Sequence, residues 1–112
     1  MIMAVNEDYL LYIQEQLAGV DPIHSKKMFG GIGFFKDGLM FGMIASDIFR
    51  LKTGPDNLTD FTSLGMEPMY SKDKKSSLPY YQVPAEVLED ASVLTIWAEK
   101  AIDVARLAAK KK

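Results

Sequence analysis

The stretch MFGGIGFFKDGLMF at positions 28–41 is the most informative part of the sequence, because it places two apolar runs on either side of one turn signal. That signal is the pair Asp37-Gly38, and an Asp-Gly pair between apolar runs is typical of a tight β-hairpin. Strands joined this closely are antiparallel, since a parallel connection needs a crossover of about a dozen residues or more. The stretch therefore predicts the central hairpin of an antiparallel sheet.

Short apolar, branched and aromatic segments continue on both sides of this hairpin. They predict a meander with strands at 25–29, 32–35, 39–44 and 48–52. A second hairpin is predicted at 66–70 and 78–83, joined by the polar loop 71–77. We interpret the strand phenylalanines as core residues of alternating strands; they are Phe29, Phe34, Phe35, Phe41 and Phe49.

A first helix is predicted over 7–18, because an apolar stripe at helical spacing follows Asn6, a good N-cap residue. Gly19 is expected to end it in the left-handed conformation. A short middle helix is expected after Asp56 or Asn57, either of which can cap it.

Gly65 is expected to stop this middle helix. The last helical region starts at Pro84 and is capped again at Asp90. It carries apolar residues at i, i+3, i+4 and i+7, with Trp97 as the expected main anchor on the sheet. The sequence thus predicts an α+β fold with an N-terminal, a short middle and a long C-terminal helix.

The composition indicates one globular domain over 1–112, with 48% hydrophobic and 25% charged residues. Cysteine is absent, which excludes disulfides, thiolate catalysis and cysteine-ligated metal, and favours a reducing, cytoplasmic location. No stretch resembles a signal peptide or a membrane span, so we expect no membrane contact.

Candidate catalytic residues are few. His24 is the only histidine, and the clustered carboxylates at 86–90 and 56–60 already have a role at helix ends. The cluster Gly30-Gly31-Ile32-Gly33 has neither the lysine of a P-loop nor the spacing of a dinucleotide-binding turn. We therefore expect a protein that is not an enzyme and that holds no cofactor or metal.

Binding of a protein partner, or of a second copy as a homodimer, is the first functional hypothesis. An antiparallel sheet with helices on one side often leaves its other face or an edge available. Tyrosine and methionine are enriched at protein interfaces, so the candidate interaction residues are Tyr80, Tyr81, Met66 and Met69.

Direct nucleic-acid binding is the alternative hypothesis. Lys26, Lys27, Arg50 and Lys52 lie on neighbouring predicted strands and could form a local basic stripe. The net charge of −2 and a pI near 5.3 weigh against it, because nucleic-acid-binding domains usually carry a dense basic surface.

The glycine–aromatic hairpin resembles the signature of the TfoX N-terminal domain family. The similarity covers about residues 7–107 and includes the later stretch YYQVP at 80–84. The structural motif that carries it consists of Met28, Phe29, Gly30, Gly31, Gly33, Gly38 and Trp97.

The resemblance implies a two-layer fold similar to secretion-chaperone-like and YgaC-like domains, with an antiparallel sheet of about five strands. Larger family members are bacterial competence regulators that act as transcriptional co-activators beside a DNA-bound regulator, and they carry a second, helical domain. The family provides no catalytic residues to transfer. We expect this chain to act as a stand-alone N-terminal-type domain.

Overall fold

The computed structural model describes residues 6–28, 30–70 and 75–110. Within them, six strands form one sheet in the order β1-β2-β3-β4-β6-β5. The strands are β1 (His24–Met28), β2 (Gly31–Lys36), β3 (Leu39–Ala45), β4 (Ile48–Lys52), β5 (Pro68–Tyr70) and β6 (Ser77–Gln82). The helices are α1 (Glu7–Gln16), α2 (Leu58–Thr62), α3 (Ala85–Leu88) and α4 (Ala91–Lys110), with a 3₁₀ turn at Ala18–Val20.

The first four strands form the predicted antiparallel meander. In the β2–β3 turn, Asp37 has φ 53° and Gly38 has φ 80°. Two positive φ angles in a two-residue loop match the right-handed twist of the flanking strands, which is why Asp-Gly is favoured there. The prediction of an antiparallel α+β fold is confirmed.

The second hairpin joins the meander through β6, which pairs antiparallel with β4 on one side and with β5 on the other. The sheet therefore has six strands, where the resemblance implied about five. The short edge strand β5 corresponds to the strand predicted at 66–70, so the residue patterns themselves predict six strands. Residues 71–74 of the predicted loop, and Phe29, lie outside the described residues.

The helices lie against one face of the sheet and close the core there. α4 packs on β3 and β4 through the buried residues Leu94, Ala98, Ala101, Ile102 and Ala105. Trp97, the expected anchor, is only half-buried, and its ring contacts Phe61 of α2 at a centroid distance of 4.7 Å. The small alanines thus bring α4 onto the sheet, whereas Trp97 joins α4 to α2.

The start of α1 is as predicted, because the Asn6 side chain accepts hydrogen bonds from the N–H groups of Asp8 and Tyr9. The prediction for Gly19 is wrong: it lies in the 3₁₀ turn and does not have a positive φ. A side chain at this position would contact Oγ1 of Thr95 in α4. Glycine is therefore suited to this position by the close approach of the turn to α4.

Asp90 caps α4 as predicted. Its Oδ1 accepts hydrogen bonds from the Ser92 hydroxyl at 2.7 Å and from the N–H groups of Ser92 and Val93 at 3.1 and 3.3 Å. The hydroxyl of Ser92, together with these N–H groups, holds the pKa of the Asp90 carboxyl below its ordinary value of 3.8. The ionised side chain thus stabilises the start of the longest helix.

We expect Asp90→Asn to reduce the loss of stability in acid. Because the folded pKa is below the unfolded one, the charge of Asp90 stabilises the fold above about pH 4, and this contribution is lost as pH falls through the folded pKa. Asparagine still caps but does not titrate. Between pH 7 and pH 3, the urea midpoint of unfolding should fall less for the variant than for the wild type. Equal falls in the two proteins would contradict the assignment.

Candidate functional site

The sheet has one face that no helix of the described residues covers, and we call it the open face. Strand register places side chains alternately on the two faces. Phe34, Ile44 and Phe49 are buried under the helices, so their neighbours along each strand point the other way. The central open-face side chains are Lys26, Met28, Phe35, Met40, Met43, Arg50, Lys52, Tyr80 and Gln82.

One row of residues crosses the middle of the open face. Lys26 of β1 lies opposite Gly33 of β2, which lies opposite Met43 of β3. Met43 in turn lies opposite Arg50 of β4, and Arg50 opposite Gln82 of β6. Directly opposed residues have Cβ atoms about 4.5–5.5 Å apart. The two cations therefore sit on either side of a glycine and a methionine.

Gly33 leaves space for an apolar cluster on this face. A Cβ at Gly33 would lie 2.6 Å from Sδ of Met28, 3.0 Å from Cε1 of Phe35 and 3.4 Å from Sδ of Met40. These three side chains, here called the Met–Phe cluster, thus pack directly over the glycine backbone. All three remain partly exposed.

Arg50 is a partly buried cation of this face. Its Nη1 donates to the carbonyl oxygen of Ala45 at 3.3 Å. Within the described residues, its buried Nε has no hydrogen-bond partner. Burial lowers the pKa of the Arg50 guanidinium, but the group stays charged at neutral pH. Among the described residues, none of the ion pairs involves this half-buried cation.

Lys52 and Tyr80 form a second polar feature at the far end of β4. The Lys52 Nζ lies 5.3 Å from the centroid of the Tyr80 ring, within the range of a cation–π contact. Burial raises the pKa of the Tyr80 hydroxyl. The backbone at this end is held by Asn57, whose Nδ2 donates to the carbonyl oxygen of Lys52 at 3.0 Å.

The structure brings together three of the four predicted nucleic-acid contacts. Lys26, Arg50 and Lys52 share the open face, whereas Lys27 points to the opposite side of β1, since it lies opposite Ile32 of the core. These cations do not form a continuous stripe, because Met43 lies between Lys26 and Arg50 in the row.

The four predicted interaction residues do not form one surface. Tyr80 lies on the open face, and Met69 lies in the edge strand opposite Leu78. Tyr81 and Met66 pack against the core on the helix side, where the Tyr81 ring lies 5.9 Å from that of Phe61. Tyr80 and Tyr81 are thus separated by the alternation of a strand.

Sequence reasoning missed the Met–Phe cluster and Met43 as members of the site. The interpretation of Phe35 as a core residue is wrong. Its neighbour Phe34 points into the helix-covered core, whereas Phe35 lies on the open face. The available signal was Gly33 in the middle of an apolar strand, since such a glycine often marks a close approach of other atoms to the backbone.

No arrangement for metal binding is found among the described residues, where no group of three or more His, Asp or Glu side chains converges. His24 is exposed at the start of β1. A groove of about 320 Å³ lies between the 3₁₀ turn and α4, and its charged lining residues are Asp21, Lys36, Glu99, Asp103 and Arg106. In this groove Lys36 already donates to the carbonyl oxygen of Val20 at 2.7 Å, and Arg106 lies near Asp37 and Asp103.

The fold and its site define a class: a two-layer α+β domain with helices on one face of an antiparallel sheet and an apolar, basic open face on the other. The sequence profile of the TfoX N-terminal domain matches residues 15–105, and the chain belongs to this family. A search among curated proteins found no match. In the described part of the chain, no helix has both the length and the apolar character to traverse a bilayer.

Proposed function

We propose that this protein is a non-enzymatic, cytoplasmic regulatory domain that acts by binding another protein through its open face. The observation that carries the proposal is the Met–Phe cluster, with Met43 between it and Arg50, on a face that no described helix covers. Methionine is flexible and polarisable, so it adapts to different apolar partners and is common at binding surfaces. A regulatory role agrees with membership of the TfoX N-terminal domain family.

The energetics of the open face also support a binding role. A partly exposed Phe35 and three partly exposed methionines keep apolar surface in water, although burial would stabilise them by about 25 cal/mol per Å². Polar residues rim this apolar centre, with Lys26 on one side and Lys52 and Gln82 on the other. An apolar centre within a polar rim is the usual anatomy of an interface.

Direct nucleic-acid binding is the second candidate, and the shared face of Lys26, Arg50 and Lys52 favours it. Each phosphate contact adds to the affinity and to its dependence on salt. Three cations around an apolar centre offer few such contacts, and the net charge of the chain is −2.

Self-association through the sheet edge is a weaker use of the same fold. The edge strand β1 carries Lys26 and Lys27 side by side. Lysines on an edge strand disfavour pairing between copies, because two such edges would bring like charges together. A heterologous protein partner on the open face avoids this repulsion.

A photo-crosslinker placed at Met43 tests the proposal, with the same crosslinker at the exposed Glu99 of α4 as the matched control. After irradiation in an extract of the native cells, we expect discrete protein adducts at position 43 that are absent at position 99 and persist after nuclease treatment. Adducts that nuclease removes would support the nucleic-acid candidate. Identical patterns at both positions, or none, would contradict the use of the open face.

A further inference from the structure

The strands of this protein have an unusual distribution of charge. Five basic residues lie within the six strand ranges, and no Asp or Glu does, although the chain has 15 acidic and 13 basic residues. The strand cations are Lys26, Lys27, Lys36, Arg50 and Lys52. The sheet is thus basic in a protein whose net charge is −2, and the acidic residues of the described ranges all lie in helices, turns and loops.

The acidic residues of two hairpin turns, β2–β3 and β3–β4, are directed away from the open face. Asp37, in the β2–β3 turn, lies 3.4 Å from Nη2 of Arg106 on α4. Asp47, in the β3–β4 turn, accepts a hydrogen bond from the backbone N–H of Asn6 at 3.3 Å. Both carboxylates therefore bind to the helix layer, and neither is placed to neutralise the cations of the open face.

Arg50 is the clearest example of an open-face cation that these carboxylates do not neutralise. The ion pairs among the described residues join Lys100 to Asp60 and Arg106 to Asp37 and Asp103, so none involves Arg50. A half-buried guanidinium with a free Nε has lost hydration without gaining a carboxylate. A carboxylate supplied from outside would accept a charge-assisted hydrogen bond from the partly exposed guanidinium.

The distance between the cations on β1 and β4 fits one helix. Lys26 on β1 and Arg50 on β4 are three strand spacings apart, which is about 14 Å. A helix with its side chains is about 10–12 Å across. A helix lying along β2 and β3 would place its lower face on the Met–Phe cluster and Met43, with Lys26 on one flank and Arg50 with Lys52 on the other.

We propose that the partner segment is an acidic amphipathic helix, with an apolar stripe packed on the Met–Phe cluster and carboxylates on both flanks that pair with Lys26 and with Arg50. This inference rests on the proposed function and specifies the chemistry of the partner. It also predicts that the helix stripe is narrow, since the apolar centre spans only β2 and β3.

Two other occupants fit the open face less well. A second copy that docks face to face would oppose Arg50, Lys26 and Lys52 with their own counterparts, and like charges across an interface disfavour it. Single-stranded nucleic acid needs several phosphate contacts and free aromatic faces for stacking. The Tyr80 ring already carries Lys52 on one face, the Phe35 ring packs with Met28 and Met40 over Gly33, and methionine provides no stacking plane.

The test uses the full chain labelled with ¹³C at the methionine methyl groups. The probe is a synthetic, end-blocked helical peptide with a Leu stripe flanked on both sides by Glu, and the matched peptide has Gln in place of each Glu. We expect the Glu peptide to shift the methyl signals of Met28, Met40 and Met43, but not that of Met66, which packs on the helix side. The affinity of the Gln peptide should be lower by at least about tenfold.

Lys26 and Lys27 lie on opposite sides of β1, so their variants provide the internal control. Arg50→Gln should weaken the Glu peptide by about tenfold or more, and Lys26→Gln by about threefold. Lys27→Gln, on the same strand but the opposite side, should leave the affinity within about twofold. An unchanged Met66 methyl signal in each variant shows that the fold is intact, and Arg50→Lys should restore part of the affinity.

Four results would overturn the inference. They are equal binding of the Gln peptide, no binding of either peptide, tighter binding of a single-stranded DNA 12-mer to the same methyl groups, and shifts that follow protein concentration alone. If the peptides fail while position 43 still gives nuclease-resistant protein adducts, the partner chemistry is wrong but the proposed function stands. If both fail, the open face is not the interface.

Discussion

Phe34→Ala is expected to destabilise the fold by about 3–5 kcal/mol, whereas Phe35→Ala, one residue further on, should cost about 1 kcal/mol. Phe34 is fully buried, and its ring meets that of Phe49 edge-on at a centroid distance of 5.6 Å. Removing it leaves a cavity between the sheet and the helices. A single domain has a free energy of unfolding of only about 5–15 kcal/mol in total, so the variant should unfold at a much lower urea concentration than the wild type.

The comparison of neighbouring residues makes this test specific. Phe35 has the same chemistry and lies in the same strand, but it is partly exposed on the open face. Urea unfolding of both variants measures the two costs, and the crosslinking yield at position 43 measures the interface. We expect Phe34→Ala to lose stability, and Phe35→Ala to lose mainly crosslinking. Equal losses of stability would contradict the assignment of the two faces.

The pair Phe34-Phe35 also shows how far the sequence could predict this fold. The Asp-Gly turn and the alternating apolar runs contain the information on hairpins, and the strand limits derived from them are close to those observed. The face to which each phenylalanine points depends on where the helices pack and on the register, which shifts between Phe34 and Phe35. Such long-range features are not encoded in the local period of one strand.

The candidate site was harder to predict for the same reason. The stretch of Tyr80 and Tyr81 predicted one interaction surface, but alternation sends the two rings to opposite sides of the sheet. The separation of charge cannot be seen in the composition either, because the net charge of −2 is the sum of a basic sheet and of acidic helices and loops. Knowledge of the strand ranges and of the pairing order is needed before this separation becomes visible.

Asn57 is a third case, in which the residue was located correctly but its bonds were not predicted. It lies at the N-terminus of α2, as the capping pattern predicts, yet its side chain makes no cap hydrogen bond to that helix. Its Oδ1 accepts from the Gly54 N–H at 2.7 Å, and its Nδ2 donates to the Lys52 carbonyl at 3.0 Å. Asn57 therefore closes the loop after β4 and fixes the end of the strand that carries Arg50 and Lys52.

Asn57→Asp is expected to destabilise the protein by about 3 kcal/mol at pH 7 and by clearly less at pH 4. Asn57 is only 1% exposed. The introduced carboxylate cannot donate to the Lys52 carbonyl, and it is buried without a cation, since the Lys52 Nζ lies over the Tyr80 ring. Burial and the facing carbonyl raise the folded pKa of the new carboxyl above the unfolded value of about 3.9.

The sign of the pH dependence follows from this raised pKa. Below the unfolded pKa the carboxyl is protonated in both states, and its O–H can donate to the Lys52 carbonyl much as the asparagine amide does. As pH rises from about 4 towards the folded pKa, only the unfolded state ionises, so the difference from the wild type grows and then becomes constant. Asn57→Ala is the matched control, because it removes both hydrogen bonds without adding a titrating group and should cost about 2 kcal/mol at either pH. Urea unfolding of the wild type and the two variants at pH 4 and pH 7 measures these differences. If the destabilisation by Asn57→Asp is the same at both pH values, this side chain does not form the buried hydrogen bonds that link β4 to the loop after it.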